Sequence, residues 1–562
     1  MWGDAAGLDP ATLSPGSDLV LGADRGQADE LAHGVLLDDW LDAGARGELD
    51  REARRRCAAW LERRAGALTV AGVPLGYVHE LELYADVFVP ELRVVEGLSQ
   101  VARRGLARVA LHGVDTELSR CLEARLSDLG VEVEAGPAAA PPSYPRAFRR
   151  SVGASRRVSG ALREAIGVPG RPRGTVLFEP YWHLTPVWRL LTGTAAEPVM
   201  GPFNRPALPR RHVLRSLRHG GWIGAPGAAS RKRSERAVLN ALEGLDPAGS
   251  ADPLDRLLDL RYARLLAVQA RHTLAEAEER RQAFAGPVKA TVAYSDSAPI
   301  PRLNAVAARE NGASVVTVQH GLWGHLPIDD GRPARILDGW TADHVAVWSE
   351  REAEVFAPHV PGDVVVTGDP GATLLAAGPA LAGPADTALV LAQMTTPLST
   401  GADARVSARH LRAALGALSS TAVRRVVVRP HPLDPERAAY ARIGAQIPGL
   451  AVRVDASGRV EDAIAAAGIC VGALSTATLQ AAAMGVPTVL LDVTGMALAW
   501  PFDGAGAFPT ARSEEELVEL IGSAQAAREV ALDALGARPD APQAVADLVG
   551  RAAAGPGSLA DR

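Results

Sequence analysis

The sequence predicts an α/β protein of two Rossmann-like domains facing a cleft, with an enlarged helical N-terminal part. Three observations predict it. Short apolar strands alternate with amphipathic helices over most of the 562 residues, the pattern of parallel sheets. The pattern runs twice, with a shift near residue 372. Hydrophobic residues make up 47% of the chain and charged ones 22%, enough apolar surface for sizeable cores.

The elements justify this in order. Residues 1–66 are acidic, then Arg-rich, with a helical pattern. From 67 the texture changes. ARVALHG (107–113) reads as a strand, DTELSRCLEARLSDLG (115–130) as an amphipathic helix and VEVEAG (131–136) as a strand, one βαβ unit of an open sheet. GTVLFEP (174–180) is another strand. Residues 205–285 are polar, Arg-rich and helical, ending in a heptad-like run over 254–284. Strands return at KATVAYSD (289–296), ASVVTVQHG (313–321), TADHVAVWSE (341–350) and GDVVVTGDPG (362–371). The second series holds strands at 387–393, 424–432, 451–457 and 486–493 and a helix then strand over 461–472, with further helices between them. Ser513 and Glu516 form a capping box for the helix at 513–525. The expected organisation is a helical extension at 1–66, a first Rossmann-like domain at 67–371 with an Arg-rich helical insertion at about 146–285, and a second at 372–550.

Composition narrows the function. A net charge of −6 argues against a general nucleic-acid binder. Cys57, Cys121 and Cys470 stand in no metal spacing, which points to a reduced, cytoplasmic protein without structural zinc. No apolar run approaches the ~18 residues of a membrane span, and no signal peptide is read at the start. Arginines number 57 against two lysines, Lys232 and Lys289; with the alanine richness, this reads as base composition of the genome. Segment 146–173 carries eight arginines and one acid, and 205–221 and 231–236 continue the trend. These are solvated helix faces on one reading. On the other they are a basic surface for an anionic membrane or an anionic acceptor polymer, making the protein peripheral on the inner face of the membrane.

In open α/β sheets ligands bind beyond the carboxyl ends of the strands. In the second half those ends carry Gln393 with Thr395 and Thr396, Arg429 with His431, and Ser475 with Thr476. The last pair opens a helix, where free backbone N–H groups attract anions. An imidazole, a guanidinium, two hydroxyls and a helix start make a phosphate site. Pro430 and Pro432 hold His431 in place. In the first half the ends carry Asp296, then Gln319, His320 and Gly321, then Asp329 and Asp330 before a glycine. Each of Asp296, His320 and Asp329 is a candidate base for an acceptor hydroxyl. Their plainer readings are a helix cap for Asp296, a hydrogen-bonded strand-end histidine for His320, and a polar turn for Asp329–Asp330.

The ordered set D-x-x-P at 296, V-x-x-Q-H-G, A-D-H-V-A-V-W-S-E, V-V-V-T-G-D-P, R-P-H-P and S-T-x-x-L-Q-A-A-x-x-G-V-P resembles bacterial surface-polysaccharide glycosyltransferases of GT-B fold. These include capsule Kdo transferases, sialyltransferases and polysialyltransferases, together with the related CDP-glycerol glycerophosphotransferases. The resemblance covers about residues 289–495. It implies that His431–Pro432 and Ser475–Thr476 hold the phosphate of a CMP-sugar or CDP-alcohol. It implies that a carboxylate of Asp329–Asp330–Gly331 is the base for sugar transfer, and His320 the base for polyol-phosphate transfer. The sequence departs from the pattern at Gln480, where many GT-B enzymes carry a glutamate that binds the ribose.

The expectation is an inverting glycosyltransferase that needs neither metal nor cofactor and moves a sugar, a CMP-sugar for preference, to a cell-surface glycan or lipid-linked acceptor. The donor would sit in the second domain and the acceptor in the first. Three alternatives stand beside it: a CDP-glycerol or polyol-phosphate transferase, a non-hydrolysing UDP-sugar 2-epimerase, and a non-catalytic scaffold of glycan assembly. No D-x-D, H-E-x-x-H, P-loop or G-x-S-x-G is present.

Overall fold

The computed structural model describes residues 20–22, 34–36, 43–140, 173–200, 223–245, 252–321, 341–376, 383–392, 404–431, 434–493, 498–503, 508–523 and 527–555, apart from 104, 106, 112–113, 137, 139, 180–181, 224–225, 359, 435–436 and 499. The chain divides into two compact units, 1–150 with 226–275, and 151–225 with 276–562.

The first unit is mainly helical, with helices Ala43–Arg64, Val89–Arg103, Ala228–Glu243 and Pro253–Gln269. Trp60 stacks on Tyr262 with ring centroids 3.7 Å apart. Arg261 is fully buried and paired with Glu91 at 2.6 Å and with Asp115. A buried guanidinium without such partners would be strongly destabilising. The βαβ pattern at 107–136 forms: strands Arg108–Leu111 and Glu132–Ala135 pair in parallel around helix Thr116–Ser127. Asp115 caps that helix by accepting from Glu117 N at 3.1 Å and Leu118 N at 3.3 Å. Yet the two strands make a sheet of their own rather than joining a larger one. Arg108, Glu132 and Glu134 explain this, because a strand inside a doubly wound sheet must be apolar on both faces. The heptad-like run also breaks, into Pro253–Gln269 and Thr273–Phe284, and His79 Nε2 lies 3.0 Å from Thr273 Oγ1 at the break.

The second unit holds both large sheets. The first comprises β1 (Val176–Phe178), α1 (Thr185–Leu191), β2 (Pro198–Met200), α2 (Thr273–Phe284, in this unit from Glu276), β3 (Ala290–Ala293), α3 (Pro299–Glu310), β4 (Ser314–Val318), β5 (His344–Val347), α4 (Glu350–Phe356) and β6 (Asp363–Val366). Its strand order is β6-β5-β4-β3-β1-β2, parallel throughout. The strands are runs of Val, Ala, Leu and Phe that are mostly buried, as helices on both faces require.

After α5 (Ala372–Ala376) come β7 (Thr387–Leu391), α6 (Ala404–Ser419), β8 (Arg425–Arg429), α7 (Arg437–Ala445), β9 (Ala451–Val454), α8 (Val460–Ala465), β10 (Ile469–Gly472), α9 (Thr476–Ala483), β11 (Thr488–Leu491), β12 (Thr510–Ala511), α10 (Glu514–Ser523), α11 (Arg528–Ala534) and α12 (Ala541–Ala554). The second sheet runs β9-β8-β7-β10-β11-β12, again all parallel. Leu411 and Leu415 of α6, Tyr440 of α7 and Leu517 of α10 share one core with it, while Ile464 of α8 and Ala481 of α9 share another. The last helix leaves this sheet. Val545, Leu548, Val549 and Ala552 of α12 pack with Val176, Phe178, Val292 and Val316 of the first. The architecture is the GT-B class that the sequence predicts: two doubly wound parallel sheets in one chain with an enlarged helical N-terminal part.

Candidate functional site

The second sheet has the strand order of a Rossmann domain. The chain starts at central β7, steps outward to β8 and β9, then crosses back to β10 on the other side of β7. The carboxyl ends of β7 and β10 are therefore the switch point, where a crevice forms. Arg429 and His431 leave β8, one strand from β7, and Ser475 and Thr476 follow β10. Because all strands are parallel, these residues gather at one edge. Gln393 and Thr396 after β7, and Pro432 after His431, lie outside the described residues.

Ser475 is the N-cap residue of α9, extended at φ −156° and ψ 155°, but its side chain does not close the helix start. Its hydroxyl lies 3.4 Å from Thr478 Oγ1, which itself donates to Ala473 O at 2.6 Å. Ser475 and Thr476 are half-buried. Gly472, the last residue of β10, lets this turn close: a Cβ there would meet the Thr478 side chain at 2.3 Å. The dipole of α9 thus starts beside two hydroxyls at the switch point, a setting that favours anions. His431 is exposed, and Asp434 N donates to its carbonyl at 2.9 Å. The protein packed against its ring lowers its basicity, with Arg437 acting the same way and Asp434 opposing.

Arg429 is turned elsewhere. Its Nη1 donates to Asp455 O at 3.2 Å and to Ser457 O, and its Nη2 donates to Gly458 O at 2.7 Å. The guanidinium ties β8 to the loop after β9. Gln480 on α9 is buried, 3% exposed.

The first sheet has its own switch point, between β1 and β3. His320 follows β4; its half-buried ring meets Tyr294 edge-on, centroids 5.1 Å apart. Burial pulls its pKa down to about 4, against a bond to the Tyr294 backbone that works the other way. Gln319 is fully buried and bound on all sides. Its Nε2 donates to Gly321 O at 2.8 Å and Glu352 Oε1 at 2.9 Å, and its Oε1 accepts from Trp348 N at 2.9 Å. Asp296 is buried and does not cap α3, whose N-cap residue is Ala298. Its Oδ2 accepts from Thr341 N at 2.7 Å and Thr341 Oγ1 at 2.9 Å, fixing the far end of the segment that follows Gly321. Asp329 and Asp330 lie in that segment, outside the described residues.

Two groups at this edge escaped the sequence reading. Glu179, directly after β1, is buried at 3% exposure, and its Oε1 accepts from Asn304 Nδ2 at 2.6 Å. Arg280 Nε donates to Asn304 Oδ1 at 2.5 Å and so fixes that amide. Burial pushes Glu179 up to about 8, Arg280 and the Asn304 bond pulling back. His183, also buried, is held far toward its neutral form by burial and by His320 nearby. The signal for both was the acid and histidine of EPYWH (179–183) behind an apolar strand. Among the described residues no group of three or more His, Cys, Asp or Glu is placed to hold a metal ion.

Fold and site thus define a two-sheet α/β protein with polar residues at the carboxyl edge of both sheets. No family model matches the chain, and no curated protein does. Among solved structures it is similar to MurG of Acinetobacter baumannii, at 14% identity over 68% of this chain and 100% of that one, with a TM-score of 0.34. It is also similar to S. aureus MnaA with UDP, at 11% over 66% and 93%, TM-score 0.40. A third is the wall teichoic acid polymerase TagF, at 9% over 75% and 100%, TM-score 0.37. At these scores they add nothing to what the two sheets show by themselves.

Proposed function

We propose that the chain is an inverting, metal-independent glycosyltransferase that moves a sugar from a CMP-sugar to a cell-surface glycan or lipid-linked acceptor. The observation that carries this reading is the uncapped start of α9 at the switch point, with Ser475 and Thr476 beside it and His431 on the same edge. That edge suits a nucleotide phosphate. In the transfer, the bond from the sugar carbon to the phosphate oxygen breaks and its electrons stay on the phosphate. The α9 dipole, the hydroxyls and His431 stabilise that charge, a preorganised electrostatic role. His431 is biased neutral in the free protein, and a phosphate beside it would draw it toward the protonated, donating form. Arg429 acts indirectly by holding the loops. The acceptor oxygen bonds to that sugar carbon as a base, Asp329 by preference, takes the acceptor proton.

One observation favours polyol-phosphate transfer from a CDP-alcohol as the second reading. His320 stands at a strand end of the first sheet as a neutral imidazole, a weaker base than a free histidine because of burial. Both readings predict cytidine nucleotide binding. Calorimetry with EDTA present is expected to show CMP or CDP binding more tightly than UDP. His431→Ala should weaken it by about 1.5–3 kcal/mol, the worth of a hydrogen bond to a charged group. Tighter binding of UDP, or binding only when a divalent metal is added, would overturn the assignment.

A further inference from the structure

The chain crosses between the two large sheets twice, and the crossings touch. The first runs from β6 through Thr367–Gly371 into α5; the second runs from α11 through Leu535–Asp540 into α12. Asp369 N donates to Gly536 O at 3.2 Å, and Thr373 Oγ1 donates to Arg538 O at 2.9 Å. Gly368 (φ +79°) and Gly536 (φ +56°) allow this approach. A Cβ at Gly536 would lie 2.0 Å from Trp348 O, and one at Gly368 would lie 2.4 Å from Gly536 O. Trp348, Ala372, Phe502, Ala534 and Leu535 belong to one apolar core around the contact.

A carboxyl sits inside this contact. Asp369 is 2% exposed, and its Oδ1 accepts from Gly371 N at 2.8 Å. Its bonds from Gly371 and Ala372 favour the charged form, but burial outweighs them and raises it to about 7. Among the described residues no cation acts on it. Arg538 is paired with Asp540 of its own segment, at 3.2 and 3.0 Å. Glu352 is bound by Gln319, Arg351 lies over the Trp500 ring, and Arg528 donates to Ala483 O. Helices α5 and α9 carry no charged residue. A carboxylate formed in this place has only backbone N–H partners and little water, and separation of the two crossings would hydrate it.

We propose that Asp369 is a proton-operated latch on the hinge between the two sheets, holding the crossings together as a neutral acid and releasing them when ionised. The sign follows from the raised value. The latch is fully engaged below the ordinary carboxylate range and is lost as pH rises through about 7. Opening hydrates Asp369 and breaks the Asp369–Gly536 bond, so the sheets gain freedom to reorient. This holds whatever the candidate site binds.

Hydrogen exchange on the full chain tests it, with rates corrected for their intrinsic pH dependence. Between pH 5 and 7 protection of the Asp369, Gly371 and Ala372 amides should fall by more than about tenfold, because one proton drives up to about tenfold per pH unit between the ordinary carboxyl pKa of ~3.9 and the raised value. Amides inside β7, read in the same experiment, should not change. In Asp369→Asn the three amides should stay protected at both values. Unchanged protection of these amides in the wild type overturns the latch, whether or not the variant folds. So does an equal fall in Asp369→Asn.

Discussion

Arg429 ends β8 with its guanidinium wrapped by carbonyls of the 455–458 loop, while His431, two residues on, is an exposed residue. The sequence presents the two alike, as positive groups after a strand. A guanidinium with five donors satisfies free carbonyls well, and the loop after β9 offers three. A similar sorting occurs on the first sheet, where Gln319 is consumed by Trp348, Gly321 and Glu352 while its neighbour His320 stays half-buried. Choosing the base therefore falls to Asp329 and His320. Asp329→Asn is expected to lower turnover by about 10²-fold or more with nucleotide affinity kept, as for loss of a general base. His320→Asn should act less severely, through orientation of acceptor or donor. If Asp329→Asn keeps more than about a tenth of the rate, the role passes to His320.

At the scale of elements, strand after strand forms where apolar runs end on polar residues. The capping box forms with a shift: Glu516 N donates to Ser513 Oγ at 3.2 Å, while Glu516 Oε2 accepts from Arg512 N rather than Ser513 N. Helix α12 behaves differently. Its apolar positions are legible, but nothing local says which sheet they cover. They cover the first, through Val545, Leu548 and Val549. Leu548→Ala should therefore cost about 2–5 kcal/mol, the usual range for a buried leucine. Hydrogen exchange should rise first in β1, β3 and β4. Loss of protection confined to β7, β8 and β10 would contradict this packing.

Across the whole molecule, buried ionisable groups set the response to pH. Glu179 and Asp369 are raised by burial to about 8 and 7. Their stabilising contribution is complete below the ordinary carboxylate range and is lost as pH rises through 7 to 8. His183, His320 and His410 are lowered by burial, the last two to about 4. Their contribution is complete above ~6.5 and is lost as pH falls toward those values. Between pH 6.5 and 8.5 the raised carboxyls act, and toward the upper end the buried thiols of Cys121 and Cys470, also raised, act in the same direction. Thermal unfolding should move to lower temperature over that interval, by an amount equivalent to a few kcal/mol. A melting temperature that is flat or rising from 6.5 to 8.5 would show that these carboxyls are ionised in the folded chain.

The sequence by itself determined the two series of parallel strands and the polar residues at their ends. Both are local properties: a Val-rich run needs cover on two faces, and a strand has a direction. It also marked Ser475 and Thr476 as a helix start. Tertiary structure decided what depends on partners distant in sequence. The strands at 108–111 and 132–135 stand apart because their charged faces cannot be covered on both sides. Asp296 binds Thr341, 45 residues away, instead of capping the next helix. Glu179 and Asp369 are ordinary acids in sequence. They become proton-holding groups only because helices, or a second crossing of the chain, exclude water from them, and burial is a property of the assembled fold.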